Sequence, residues 1–293
     1  MSASQTLNGL VIAAYGKRYD VELTDGRQVG CVTRGKKSDL ACGDRVEVHL
    51  TSADAGVVER ILPRSSLLYR SNDFRTKLLA ANVTQVVIVL AASPSFYEEL
   101  LNRCLIAAEA AGIRVLIVLN KSDLPETPAA LARLTQYSAL GYTVLQLSAK
   151  QDVIPLRPWL QGQTSVLVGQ SGMGKSTLVN ALLPELDIRT QEISAVLDSG
   201  KHTTTAARLY HLDADSHLID SPGLQEFGLN HLSLEAMEQA FIEFRPFLGK
   251  CRFNNCRHLK EPDCAVRNAV ADGKISEIRL NSYQKLYAEL ATN

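Results

Sequence analysis

No stretch of this chain is apolar for long enough to cross a membrane: its longest such runs, "VVIVLAA" at 86–92 and "VLIVL" at 115–119, fall short of the about 18 residues a spanning helix needs. The opening "MSASQTLNGL" lacks the basic start and apolar core of a secretion signal, so a cytoplasmic location is expected. Cysteine is sparse, six in 293 residues. Three of them, Cys31, Cys42 and Cys104, stand alone and read as small apolar side chains, not disulfide partners. An excess of either charge is also missing, with 31 Lys and Arg against 31 Asp and Glu, so any nucleic-acid contact must rest on local patches. There is no internal repeat and no low-complexity segment. With 46% hydrophobic residues, what remains is a globular chain of one large domain or two to three small ones.

The N-terminal pattern is one of short alternating runs, from "GLVIAAYG" through "GDRVEVHL" to "GVVERIL". Several strands in so short a span predict a small β-barrel, with the oligonucleotide-binding (OB) type leading. Asp25-Gly26 predicts a two-residue hairpin turn in which both residues take left-handed angles. The stretch "RSSLLYRSNDFR", from Arg64 to Arg75, has no clear period and reads as a linker. From Asn82 onward, near-continuous apolar runs alternate with helical patterns, as expected for a parallel sheet covered on both faces. "LSLEAMEQAFIEFRPFLG" and "SEIRLNSYQKLYAEL" predict two C-terminal helices.

Gly169-Gln170-Ser171-Gly172-Met173-Gly174-Lys175-Ser176-Thr177 fits the phosphate-binding pattern G-x-x-x-x-G-K-[ST]. Its glycines allow backbone N–H groups to turn toward phosphate oxygens, Lys175 can reach the β- and γ-phosphates, and Ser176 can ligate Mg²⁺. "TSVLV" ahead of it and "STLVNALLP" behind it supply the strand and helix that the motif requires. Such loops serve ATPases, kinases and GTPases alike, so partner motifs must choose between them.

Asn120-Lys121-Ser122-Asp123 follows the strand "RVLIVL". A carboxylate at Asp123 can accept both the N1 and N2 protons of guanine; on adenine it would face an acceptor and stay unpaired. Asn120 is expected to tie this loop to the phosphate loop, and Lys121 to pack over the base. Ser148-Ala149-Lys150, after the strand "YTVLQL", matches a loop whose backbone contacts the guanine oxygen, although the tripeptide alone carries no information. Asp220-Ser-Pro-Gly223 matches D-x-x-G, in which Asp220 would hold Mg²⁺ through water and the Gly223 N–H would sense the γ-phosphate. In isolation "DSPG" is an ordinary β-turn. Between these motifs "SGKHTTTAA" lies where a switch loop belongs, with Thr203, Thr204 or Thr205 to complete the Mg²⁺ shell.

The order along the chain is base loop, guanine-oxygen loop, phosphate loop, switch threonines, D-x-x-G. An ordinary guanine-nucleotide domain begins with the phosphate loop and ends with the base loops. Both are the same circle cut at different points, because joining nearby termini and opening another loop leaves the strand packing intact. "QDVIPLRPWLQGQ" is the expected join. Near the C-terminus, Cys251-x4-Cys256-x-His258-x5-Cys264 offers three thiolates and one imidazole, a set suited to tetrahedral Zn²⁺ with no open position for chemistry; reduced free thiols are the bland alternative. Arg245, Lys250, Arg252, Arg257, Lys260 and Arg267 surround the cluster against Glu261 and Asp263, giving a patch able to meet RNA phosphates or simply water.

"NKSD", "SAK", "GQSGMGKST", "GKHTTT", "DSPG" and the cysteine cluster stand in the order found in the ribosome small-subunit-dependent GTPases (RsgA), which this chain resembles over nearly its whole length. The resemblance implies an OB-fold domain over 1–64, a circularly permuted P-loop GTPase domain over 65–228 and a C-terminal helical zinc-binding domain over 229–293. It implies GTP and GDP with Mg²⁺ as ligands and one structural Zn²⁺ on Cys251, Cys256, His258 and Cys264. It further implies slow GTP hydrolysis, stimulated by the small ribosomal subunit during its late maturation, by a monomer that contacts rRNA, with no DNA or membrane partner. Leu224 occupies the position where many GTPases place a water-orienting Gln, and it cannot position a nucleophile. The family resemblance suggests His202 for that role, although a lone His in a polar loop is more simply solvated. Two other readings stand beside the GTPase: a P-loop ATPase or kinase, which Asp123 disfavours, and a non-enzymatic RNA-binding assembly factor that only holds GDP.

Overall fold

The computed structural model describes residues 6–35, 39–72, 75–184, 207–220 and 229–292. Alternation in the N-terminal sequence builds five strands, β1 (Thr6–Tyr15), β2 (Arg18–Leu23), β3 (Gln28–Thr33), β4 (Arg45–Leu50) and β5 (Ala55–Ile61). They pair in the cyclic order β1-β2-β3-β5-β4 and back to β1, a closed OB-type barrel in which only β3 and β5 run parallel. Every second residue points inward, so Val11, Val21, Val29, Cys31, Val46, Val48 and Val58 form a core of their own. Cys31, Cys42 and Cys104 are buried free thiols, and burial pushes each above its ordinary pKa, so they sit as neutral apolar groups. The β2–β3 turn corrects the two-residue expectation. Leu23 and Arg27 are already paired, leaving a three-residue loop in which Gly26 alone takes a left-handed angle (φ +86°), while Asp25 spends its carboxylate on the Arg27 side chain and N–H.

The segment expected to be a linker is instead a hairpin, β6 (Leu67–Asn72) and β7 (Arg75–Ala81). A bulge between Leu68 and Tyr69 shifts the register by one residue, which destroys the alternation by which a strand is recognised. Leu68, Ala80 and Ala81 are nevertheless fully buried, so the hairpin belongs to the main core.

The α/β part then runs β8 (Gln85–Ala91), α1 (Glu98–Ala110), β9 (Arg114–Asn120), α2 (Thr127–Ala139), β10 (Thr143–Gln146), a 3₁₀ turn (Ile154–Leu156), α3 (Arg157–Leu160), β11 (Thr164–Val168), α4 (Lys175–Leu182), β12 (Ala207–His211) and β13 (His217–Asp220). On α1, Leu101, Cys104, Leu105 and Ala108 recur at helical spacing and all face the core. The strand order is β10-β9-β8-β11-β13-β12, parallel except for β12. The expected join between β10 and β11 is the short helical passage through α3, held by Gln85 Nε2, which donates to the Trp159 carbonyl (3.0 Å) and the Ser165 hydroxyl (3.1 Å). At the far border β12 pairs with barrel strand β1, so barrel and sheet form one surface of eleven strands. Among the described residues no helix is long and apolar enough to cross a membrane.

The C-terminal unit holds α5 (Leu234–Ala240), α6 (Ala265–Ala271) and α7 (Glu277–Ala291). The helix expected to run on toward Gly249 stops at Ala240 and continues as turns. Pro246 has no N–H to give and disfavours helical angles at Arg245, while Glu243 turns inward instead. There it meets Arg279, whose side chain is 1% exposed. Arg279 donates to both Glu243 oxygens and to Asn102 Oδ1 on α1 (2.9 Å); Asn102 also accepts from the Tyr137 hydroxyl on α2 (3.0 Å) and donates to Ser282 on α7 (2.6 Å). This network fastens the C-terminal unit to both helices that follow β8 and β9. Removing one partner strands a buried charge, so Arg279→Met is expected to destabilise the protein by about 3–5 kcal/mol in denaturant unfolding, and Arg279→Met with Glu243→Gln to recover most of that loss.

Candidate nucleotide site and candidate metal centre

A parallel sheet carries the C-terminal ends of its strands to one rim, and here each motif is the segment that follows such an end. Asn120 closes β9, Ser148-Ala149-Lys150 follows β10, the glycine-rich loop follows β11 and Asp220 closes β13. Their sequence order is shuffled, yet β10, β9, β8, β11 and β13 lie side by side.

Asn120 joins three of the loops. Its side chain is buried, its Nδ2 donates to the Met173 carbonyl (2.9 Å) and its Oδ1 accepts from the Ala149 N–H (2.9 Å). Met173 is itself fully buried beneath the loop it belongs to. Gly174, at φ +91° and N-capping α4, lies so close that a Cβ there would fall 2.3 Å from Asn120 Nδ2. At the loop's other end, Gly169 passes over β8, where a Cβ would meet the Val89 carbonyl oxygen at 2.2 Å. Neither position admits a side chain without moving backbone or breaking the Asn120 bond.

Lys175 opens α4 and folds back, donating to the carbonyls of Gly169 (2.6 Å) and Gln170 (2.8 Å). Burial lowers its pKa, and the Asp220 carboxylate works in the opposite sense. Asp220 is 8% exposed. Ser176 and Thr177 follow Lys175 in the first turn of α4, part-buried, while Ser171 and Gly172 form the exposed crest of the loop. Asp123 is exposed. A hydrogen bond from the Ser148 side chain, its own backbone N–H, and the charges of Lys150 and Lys121 hold its carboxyl below the usual range, so it is ionised at neutral pH. The Ser122 N–H donates to the Leu147 carbonyl (3.1 Å), which keeps base loop and guanine-oxygen loop abreast. His202, Thr203, Thr204, Thr205, Gly223 and Leu224 lie outside the described residues.

Sequence reasoning missed the loop after β8. Lys121, at φ +59°, donates its ammonium to the Ser93 carbonyl (2.7 Å), and the Tyr97 N–H donates to the Gln170 side chain (2.7 Å). No local motif marks "SPSFY"; the signal is the neighbour relation of β8 and β11, which only the topology reveals.

The four C-terminal residues come together as expected. The ligand atoms of Cys251, Cys256, His258 and Cys264 all lie within 4.8 Å of one another. The Cys251–Cys264 sulfur separation is 3.9 Å, against about 3.8 Å for tetrahedral thiolates with 2.3 Å bonds to zinc. His258 turns Nδ1 toward the sulfurs (3.2–3.6 Å) and Nε2 toward Glu238 Oε1 on α5 (3.1 Å). A carboxylate behind a ligating imidazole fixes its tautomer and raises its basicity, so Glu238 is a supporting residue that the spacing could not announce. Donor set and distances fit Zn²⁺, with Cys251, Cys256, His258 and Cys264 as the holders and no position left for catalysis.

Strand order, loop placement and the glycine-rich loop define a P-loop nucleotide-binding domain of permuted connectivity beside an OB barrel and a cysteine–histidine unit. Residues 61–230 match the family described as "RsgA GTPase". The chain is 56% identical over 291 residues, 99% of its length and 93% of the relative's, to the small ribosomal subunit biogenesis GTPase RsgA of Nitrosospira multiformis. Among solved structures it is similar to YjeQ from Thermotoga maritima, with a TM-score of 0.75 and 31% identity covering 99% of this chain and 100% of that one. It is also similar to YloQ, described as a circularly permuted GTPase, with a TM-score of 0.71 and 28% identity covering 98% and 96% of the two chains. The chain belongs to the RsgA GTPase family.

Two outcomes follow from the geometry. Asn120→Ala leaves the Met173 carbonyl and the Ala149 N–H unpaired, and is expected to weaken fluorescent GDP binding at least tenfold, about 1.4 kcal/mol or more. Purified protein is expected to carry one zinc by elemental analysis, lost in Cys256→Ser together with thermal stability of the C-terminal unit.

Proposed function

We propose that this protein hydrolyses GTP on the small ribosomal subunit late in that subunit's assembly, slowly by itself and faster when bound there. The observation that carries the reading is the Asn120 bridge, which holds the base loop, the guanine-oxygen loop and the phosphate loop in a single constellation. The relatives' shared name supplies the ribosomal setting. The division of labour follows the three units, 1–64, 65–228 and 229–293, with the protein acting as a cytoplasmic monomer.

Asp123, ionised at the rim, accepts the two guanine protons, and Ala149 presents its backbone beside it. Lys175 exchanges its contacts with Gly169 and Gln170 for β- and γ-phosphate oxygens, which the N–H groups of residues 170–177 also face. Mg²⁺ bound with the nucleotide would neutralise charge on those phosphates, and Ser176, Asp220 and Thr204 would be the residues that hold it. His202 orients the attacking water, since Leu224 offers no polar atom. Of the basic patch, Arg245 is engaged by Glu109 and Arg252 by Asp263, whereas Lys250, Lys260 and Arg267 form no ion pair among the described residues and remain open to rRNA phosphates.

The test is phosphate release with GTP or ATP, with and without purified small subunits. GTP turnover that rises on adding subunits, with ATP inert, supports the reading; equal use of ATP, or GTP binding without turnover under any condition, refutes it. In the same assay His202→Ala is expected to keep GDP affinity and lose the stimulated rate, and an unchanged stimulated rate would remove His202 from the chemistry.

A further inference from the structure

Away from both sites, two histidines meet at the seam between barrel and sheet. His211 closes β12, His217 opens β13, and they are direct cross-strand partners in that hairpin. Their Nδ1 atoms are 3.0 Å apart with the rings edge to face. The other nitrogen of His211, Nε2, lies 3.0 Å from Glu22 Oε1 on barrel strand β2. The carboxylate fixes the tautomer: Nε2–H donates to Glu22, which leaves a lone pair on Nδ1 of the neutral ring facing the second imidazole. Two nitrogens aimed at each other this closely must share either a proton or a cation.

The same arrangement occurs once more among the described residues. In the cysteine cluster His258 presents Nδ1 to its fellow ligands at 3.2–3.6 Å and Nε2 to Glu238 at 3.1 Å. We propose that His211 and His217 form a second metal site, taking a divalent ion of imidazole-binding character such as Zn²⁺ through both Nδ1 atoms, with Glu22 orienting His211 from the barrel. At bond lengths of about 2.0–2.1 Å, donors 3.0 Å apart subtend about 91–97° at the metal, the angle of a cis pair, reached when the two rings tilt so that their lone pairs converge on the ion. Asp213 and Asp215 in the intervening turn add negative charge beside His217. His211 is 40% exposed, so an ion has access and water completes the shell. Unlike the cysteine cluster, this site leaves positions open and binds more weakly. Its effect is local: it pins the hairpin whose second strand ends at Asp220, and through Glu22 it ties that hairpin to the barrel.

The experiment is calorimetric titration of the full-length protein, already carrying its cluster zinc, with Zn²⁺. The wild type is expected to take up one further equivalent and to gain thermal stability with added Zn²⁺. His211→Ala and His217→Ala lose both effects, while Glu22→Gln weakens the uptake about tenfold or more. His217→Gln, which keeps a hydrogen-bonding side chain and so guards against a folding defect, is expected to lose the uptake as well. GDP affinity measured without added metal should be unchanged in all four variants. A wild-type isotherm with no further equivalent, or uptake that survives both histidine replacements, overturns the site.

Discussion

A single buried carboxamide governs the geometry of the nucleotide rim. Asn120 has one donor group and one acceptor oxygen committed to two different loops, and burying such a group is tolerable only when both ends are paired. Its bonds therefore exact conditions elsewhere. The phosphate loop must present the Met173 carbonyl at the right height, which requires a residue without a side chain at 174. The β10 loop must turn its Ala149 N–H inward, which the adjacent Ser122–Leu147 bond secures. Because β9 and β11 are separated in the sheet only by β8, the amide spans the gap directly, whichever loop comes first in the chain.

How much of this was legible depended on how local the cause was. The phosphate loop and the N-K-x-D loop were readable because each encodes backbone chemistry within a few residues, and each closes an apolar run that can only be a buried strand. The permuted order could be resolved from one dimension because connectivity does not alter which strands adjoin. The hairpin at Leu67–Ala81 was not readable, since one bulged residue erases the period that betrays a strand. The helix after Ser233 stops short of its expected end for two reasons, and only one is local: Pro246 disfavours helical angles at Arg245, while Arg279 draws Glu243 inward from a segment 36 residues away. Ser93 beneath Lys121 and Glu238 behind His258 escaped for the same reason: a supporting partner is defined by proximity in space and leaves no mark in the local sequence.

The Arg279 network bears on how the units cooperate. Glu243 and Arg279 belong to the C-terminal unit, Asn102 to α1 and Tyr137 to α2, and the peripheral pairs Arg103–Glu289 and Lys285–Glu99 fall along the same contact. Since α2 begins a few residues beyond the Asn120–Asp123 loop, this network joins the cysteine–histidine unit to the same side of the domain as that loop. Exposed pairs of this kind contribute little alone, so the buried arginine is the fastening that matters.

The barrel is closed on itself, but the border of the nucleotide domain is not: there β12 takes β1 as its outer neighbour, at Ala13–Arg208 and Ala14–Ala207. Were the barrel excised, β12 would become a naked border with unclaimed amide and carbonyl groups, inviting a second copy to dock there and propagate. The N-terminal unit thus acts as a selvedge, covering a border its neighbour would otherwise leave raw.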